Sequence, residues 1–268
     1  MKFKHMIIGG LAVAAGLFAG FKKERPALYL IGDSTVANAP PDSFIQGWGA
    51  HLASFFDTTK IRLQNRAVPG TSSRTYQTKG VVSTDQLKNG LWDSVMVTLK
   101  PGDFVIMQFG HNDDSPIDDT ARSRGSLKGT GTDSAVIFNR FLKKQETVHT
   151  YGWYLRKFIS DTRSRGAVPV ICSPIPKDLW KGSLVVRNTD DYDKWCAEVA
   201  ANTGTLFINL NKMVADKYDL DGQARVDALY FVKDHIHTTL AGAQINAGLV
   251  ASGIRESDSP LKKYLKKQ

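Results

Sequence analysis

Short apolar runs alternate with longer stretches of helical periodicity along this chain. Residues 27–31 read as a strand that runs straight into Gly32-Asp33-Ser34-Thr35. Residues 47–56 predict a helix, with Trp48, Leu52, Phe55 and Phe56 on one face. Residues 61–68 predict a second strand ending at Pro69-Gly70, and residues 84–99 a helix stopped by Pro101-Gly102. The clearest strand covers 103–109, where Phe104-Val105-Ile106-Met107 is the unbroken apolar run of a strand covered on both faces. A polar, glycine-rich stretch over 113–132 then has no periodicity and predicts a long loop, a kind of segment that is usually functional. Residues 146–165 predict a strong helix through Tyr151, Tyr154, Leu155, Phe158 and Ile159, and 168–172 a fourth strand. A helix over 191–201, a fifth strand over 205–209 and a last helix over 238–252 complete the pattern.

Five strands separated by helices predict an α/β chain with a parallel sheet covered by helices on both faces. Ligands in such sheets sit beyond the carboxyl ends of the strands. Ser34, Gly70 and Asn112 all fall just past predicted strand ends, with Ser173 close to a fourth.

Length and composition leave room for one full domain, over 26–260. The net charge of +9 changes meaning once located: residues 1–25 and the tail over 261–268 contribute +4 each, which leaves about +1 for the body. The charge therefore gives no ground for nucleic acid as a partner. The tail reads as solvated, with an acidic polysaccharide or membrane surface as the alternative. At the other end, Lys2, Lys4 and His5 precede an apolar run over 6–21, and Lys22-Lys23-Glu24-Arg25 follows. The run falls short of the roughly 20 residues of a spanning helix and has the layout of a signal peptide, so export to the periplasm or outside is expected. No clean Ala-x-Ala marks cleavage, and an uncleaved membrane anchor is the alternative. Cys172 and Cys196 allow a disulfide or two buried thiols. Oligomeric state is not legible.

Chemistry enters with Ser34. A serine hydroxyl needs a base to take its proton and an acid to orient that base. Asp234 and His237, spaced three apart before the last helix, supply both. An oxyanion needs preorganised donors, and the Asn112 amide, the Gly70 N–H and the N–H of Ser34 itself fit that need. No cofactor or metal is called for.

In this order, Gly32-Asp33-Ser34-Thr35, Gly70, Gly110-His111-Asn112-Asp113 and Asp234-x-x-His237 resemble the four blocks of the SGNH (GDSL-type) hydrolases, over about residues 27–250. The resemblance implies a flavodoxin-like three-layer α/β/α sandwich with a five-stranded parallel sheet. It also implies a Ser34 nucleophile, a His237 base with Asp234 behind it, and an oxyanion hole from Ser34, Gly70 and Asn112. Within the family the chain looks most like the rhamnogalacturonan acetylesterase branch, through Gly-Asp-Ser-Thr, Gly-His-Asn-Asp and the Asp-His-x-His-Thr ending. That branch implies a secreted serine esterase taking acetyl groups from an acetylated pectic polysaccharide. Arg66-Ala-Val-Pro-Gly70 departs from the family's usual turn.

Further candidates for substrate contact are His111, His235, Trp180 as a cleft wall, and Arg74 for a uronate carboxylate. Asp33 is expected to support the Ser34 loop; Trp153 and Trp195 are expected in the core. The rival readings are a metal-dependent hydrolase using Asp234, His235 and His237, a noncatalytic glycan-binding module, and an esterase for xylan acetate, lipid or thioester.

Overall fold

The computed structural model describes residues 24–78, 91–120, 122–187 and 191–267. The signal or anchor expected over 1–25 lies outside these residues but for its last two, and so does the 84–90 part of the helix expected before Pro101. Among the described residues no helix is long and apolar enough to cross a membrane.

Five parallel strands form the central sheet in the order β2-β1-β3-β6-β9. They are β1 (Ala27–Gly32), β2 (Arg62–Asn65), β3 (Phe104–Gln108), β6 (Val168–Cys172) and β9 (Leu206–Ile208). Alternating side chains divide the core in two. Leu28, Leu30, Phe104, Ile106, Val170 and Ile208 point to one face; there α4 (Leu210–Asp221), α5 (Gln223–Leu229) and α6 (Leu240–Glu256) pack. Tyr29, Ile31, Val105, Met107 and Ile171 point to the other, beneath α1 (Leu91–Met96), α2 (Tyr151–Ser164) and α3 (Tyr192–Thr203). The result is the three-layer α/β/α sandwich expected from the strand pattern. Asp103 staples its lower edge, its carboxylate accepting the N–H of Ala27 at 2.7 Å and of Lys100 at 2.9 Å.

Several elements differ from the sequence reading, each for a local reason. The helix expected over 47–56 is two short 3-10 turns, Trp48–Ala50 and Leu52–Phe55. Gly49 is pressed so close to Val36 that a Cβ would lie 2.4 Å from the Val36 carbonyl oxygen, and such a packed glycine segment does not wind into a regular helix. The helix expected from 146 begins at Tyr151, because Lys144–His149 pairs antiparallel with Ser134–Asn139 as a hairpin, β5 on β4. Thr150 then caps α2, its hydroxyl accepting the Trp153 N–H. A second small hairpin joins β7 (Trp180–Lys181) to β8 (Leu184–Val185). The C-terminal segment is not a free tail from 261: Pro260–Tyr264 makes a 3-10 turn, Leu261 is buried, and Lys266 donates its N–H to Phe55. Cys172 and Cys196 are free thiols in the two separate core layers, so no disulfide joins them.

Arg74 is the largest correction. It is wholly buried, and its guanidinium grips Glu146 on β5 through Nε at 3.0 Å and Nη2 at 2.7 Å. Nη1 donates to the carbonyls of Ile117 and Gly125 at 2.8 and 2.7 Å. Every arm is spent on holding the insert over 113–132 to the β4–β5 hairpin, and none is left for a substrate carboxylate.

Breaking a buried pair strands its partner and costs about 3–5 kcal/mol. Arg74→Met is therefore expected to lower Tm by roughly 6–12 °C in a chain of this size. Arg74→Met with Glu146→Leu should recover much of the loss. A single-variant shift below about 2 °C in thermal unfolding would contradict this account.

Candidate active site

The site lies at the carboxyl end of the sheet and is built outward from β1. Gly32 ends that strand where a Cβ would stand 2.6 Å from the Gln108 carbonyl oxygen, so only glycine fits. The chain then turns on Asp33, whose carbonyl accepts the N–H groups of Val36 and Ala37. The Asp33 carboxylate is fully buried and takes the N–H of Thr35 at 2.9 Å, the Thr35 hydroxyl at 2.8 Å and His111 Nδ1 at 3.3 Å. Burial pushes its pKa up, but the His111 ring and these donors outweigh that and hold it below the ordinary value. The ladder continues through Gln108, which donates to the Thr35 hydroxyl and accepts from the Trp48 indole.

This turn leaves Ser34 partly open. Its Oγ lies 2.8 Å from His237 Nε2, and His237 Nδ1 lies 2.6 Å from Asp234 Oδ2. Since a carboxylate only accepts, Nδ1 carries the proton and Nε2 presents its lone pair to the serine hydroxyl. Asp234 Oδ1 also accepts the N–H groups of Ile236 and His237, each at 2.9 Å. Burial pushes the Asp234 carboxyl up, yet these bonds and the neighbouring ring hold it below its usual value. Such a line can take a proton from the serine and hold the charged ring.

Gly70 and Asn112 stand on the neighbouring strand ends. Thr71 ties the Gly70 turn to β1, its hydroxyl donating to the Gly32 carbonyl at 3.1 Å. Asn112 Nδ2 donates to the Thr71 carbonyl at 2.8 Å, and its Oδ1 accepts Arg124 Nη1 at 2.6 Å. One amide N–H is thus fixed by Thr71 and the amide oxygen by Arg124. Arg124 was invisible in sequence, because the insert carrying it has no periodicity to place it.

The other candidates fare differently. His111 has a side chain only 7% exposed, and its Nε2 is held by the Ile175 carbonyl at 3.1 Å. Both its partners are acceptors, so it clamps the Asp33 turn and has no free nitrogen for substrate. Trp180 donates its indole N–H to Asp178 Oδ1 at 2.7 Å and packs its ring against the core. The small pocket beside His111 is walled by Pro174, Lys177, Leu179, Val186 and Tyr192, without Trp180. His235 has φ +59 and points away from His237, its Nδ1 on Asp178 Oδ2 at 2.9 Å. That bond raises its basicity. The two histidines thus diverge, and among the described residues no group of three His, Cys, Asp or Glu is gathered for a metal ion. On the far flank, Phe44, Ile45, Phe231, Val232 and Leu240 line an open apolar hollow that reaches Asp234.

Comparison with known proteins places this geometry. The model of the GDSL-like lipase/acylhydrolase family matches residues 30–245. A probable rhamnogalacturonan acetylesterase of Bacillus subtilis is 26% identical over 90% of this chain and 98% of its own length. A rhamnogalacturonan acetylesterase of Emericella nidulans is 25% identical over 86% of this chain and 87% of its own. Among solved structures, the YXIM protein of B. subtilis superposes with a TM-score of 0.67 at 21% identity, covering 87% of this chain and 56% of that one. An acetylxylan esterase of Geobacillus stearothermophilus gives 0.53 at 17% identity over 87% and 95%. These two likenesses carry the fold.

Asp113 offers a test of the site's electrostatics. It is wholly buried, accepting from the Ser73 N–H and hydroxyl and from the Ser126 hydroxyl, and burial still pushes its pKa up to about 6. The folded chain therefore keeps a proton there that the unfolded chain, near the ordinary 3.8, has released. The stability this proton supplies is complete below the ordinary value and is lost as pH rises through about 6. Asp113→Asn cannot lose it, so its stability relative to the parent should rise across that window by on the order of 1–3 kcal/mol. Urea midpoints measured from about pH 4 to 7 decide the matter; two parallel curves would refute it.

Proposed function

The chain belongs to the GDSL-like lipase/acylhydrolase family and is an esterase, and from that premise we propose that it is an exported serine esterase that removes acetyl groups from a pectic, rhamnogalacturonan-type polysaccharide. One observation carries the reaction type: the unbroken line from Ser34 Oγ through the His237 ring to the Asp234 carboxylate. The substrate class is supported by the names of the two relatives that match along nearly their whole length. Export rests on the basic-then-apolar order of the first residues.

In this reading Ser34 Oγ attacks the acetyl carbonyl carbon while its proton passes to His237 Nε2. The carbonyl electron pair moves onto oxygen, which the N–H groups of Ser34 and Gly70 and the remaining Asn112 amide N–H receive. Asp234 holds the ring in the right tautomer and faces the imidazolium as it forms. The intermediate collapses by breaking the bond to the sugar oxygen, which leaves with the proton from His237. Water then attacks the acetyl-serine by the same route, gives its proton to His237, and acetate departs as Ser34 regains its hydrogen. The fixed Asn112 amide pays its ordering cost during folding, so it stabilises the transition state without rearrangement.

Ser34→Ala is expected to abolish release of acetate above background, and Asn112→Ala to lower kcat by on the order of a hundredfold or more. Activity of the parent should survive excess EDTA. Acetate release from acetylated rhamnogalacturonan, homogalacturonan and xylan, measured side by side, tests the substrate. Equal or faster turnover of xylan would overturn the pectic assignment and leave the serine reaction standing.

A further inference from the structure

The insert over 113–132 sets two guanidinium groups on the oxyanion side of the site, and only one has a partner there. Arg124 turns inward and binds Asn112 Oδ1. Arg122 is exposed and turns across Gly70: a Cβ on that glycine would lie 2.8 Å from Arg122 Nη1. Its charge thus stands directly over the residue whose N–H is the proposed oxyanion donor. No ion pair among the described residues engages this guanidinium. Carboxylates of the same insert are met by other groups. Asp119 Oδ2 takes the backbone N–H of Arg122 at 3.2 Å, Asp113 is buried on Ser73 and Ser126, and Asp114 faces Lys128.

The backbone between the two arginines is unusual. Ser123 is a buried non-glycine residue at φ 49, with its N–H and hydroxyl both on the Asp119 carbonyl at 3.0 and 3.1 Å. Strain of this kind gathers at functional sites, where the surroundings force it. Here the surroundings are the Arg74 bonds to Ile117 and Gly125 and the Ser126 N–H on the Asp113 carbonyl. The turn that carries Arg122 is thus tied by several hydrogen bonds, and such preorganisation lowers the entropy lost when a ligand binds.

We propose that Arg122 is a specificity residue that receives the carboxylate of a uronic acid at or next to the acetylated sugar, so that the site favours acetylated acidic glycans over neutral ones. This rests on the serine-esterase reading given above. A guanidinium is a planar fork that matches a carboxylate through two parallel bonds, which a lysine cannot copy. The uronate class that Arg74 cannot reach is thus received by the loop that Arg74 holds in place. Because the carboxylate it holds is not altered by the reaction, the contact binds ground and transition states alike and acts on KM.

The test uses the full enzyme hydrolysing p-nitrophenyl acetate, with unacetylated galacturonate oligomers or xylo-oligomers as inhibitors. It adds kcat/KM on acetylated galacturonan and acetylated xylan. Galacturonate oligomers are expected to inhibit the parent more strongly than xylo-oligomers, and added salt to weaken that inhibition. Arg122→Gln should weaken it about tenfold, the scale of one charged hydrogen bond. The same variant should cut the acidic-over-neutral ratio of kcat/KM by a similar factor through KM, and Arg122→Lys should recover part of it. Arg124→Gln, by contrast, is expected to lower kcat on both polymers alike. A parent without preference between the two inhibitors, or Arg122→Gln losses equal on both polymers, overturns the proposal. Failure of the esterase reading would show separately, as hydrolysis of p-nitrophenyl acetate that persists in Ser34→Ala.

Discussion

Asp33 is wholly enclosed, and an enclosed carboxylate has to be met by donors or it empties the fold of stability. The chain answers with the Thr35 backbone, the Thr35 hydroxyl and His111. Those bonds are what give the turn after β1 a single shape. They also join two strand ends, because His111 comes from the loop after β3 and is pinned in turn to Ile175 after β6. Three of the five strands are thus registered at their carboxyl ends by one anion. Ser34 is left partly open because the residue before it is buried.

Asp113, two residues past His111, shows the same device with the opposite outcome. Both carboxylates are out of water, but Asp33 meets the His111 ring and the Thr35 donors and is held below its ordinary value, whereas Asp113 faces only hydroxyls and an N–H and is pushed up to about 6. The charge on Asp33 adds to that push. The acid that fixes the Ser34 turn is therefore held below its ordinary value, and the acid that anchors the insert bears the repulsion. The polar, glycine-rich insert is held by Asp113 at its root and by Arg74 through its middle, and this is how a segment without helix or strand of its own carries two precisely aimed guanidinium groups.

How much of this could be read from sequence follows from the range of the interactions. β1, β3 and β6 were legible because a strand buried on both faces writes itself as an apolar run, and Ser34, Asp234 and His237, which the structure joins in one hydrogen-bonded line, could be singled out because serine–base–acid chemistry demands those residue types. The β4–β5 hairpin was not, since residues 146–149 continue the helical spacing of α2 backward and only pairing with Ser134–Asn139 decides otherwise. Arg74 was misread for the same reason: burial and its Glu146 partner, 72 residues away, leave no trace in local pattern. His111 and Trp180 have the residue types of sugar contacts, but their polar atoms are committed to Asp33, Ile175 and Asp178. The roles of Arg122 and Arg124 arise wholly from where the insert is tied.

The Asp234–His237 loop is held by a different principle from the Ser34 turn. Asp234 and His237 lie near the surface, their side chains 43% and 26% exposed, so core packing cannot set their positions. Local hydrogen bonds shape the loop instead: Asp234 collects the N–H groups of Ile236 and His237, and the Val232 N–H closes on the His237 carbonyl. What sets the loop against Ser34 is a reciprocal pair, the Gln46 N–H on the Thr238 carbonyl at 2.9 Å and the Thr238 hydroxyl on the Gln46 carbonyl at 2.8 Å. Two residues on, the Trp48 N–H bonds to the Thr35 carbonyl, immediately after Ser34. The path from base to serine therefore runs through the segment before the first 3-10 turn, and the Ser34–His237 distance is a property of that segment as much as of either residue. It also explains the packed glycines there: Gly47 and Gly49 let the segment lie against Val36 and Ala37 closely enough for both bonds to close.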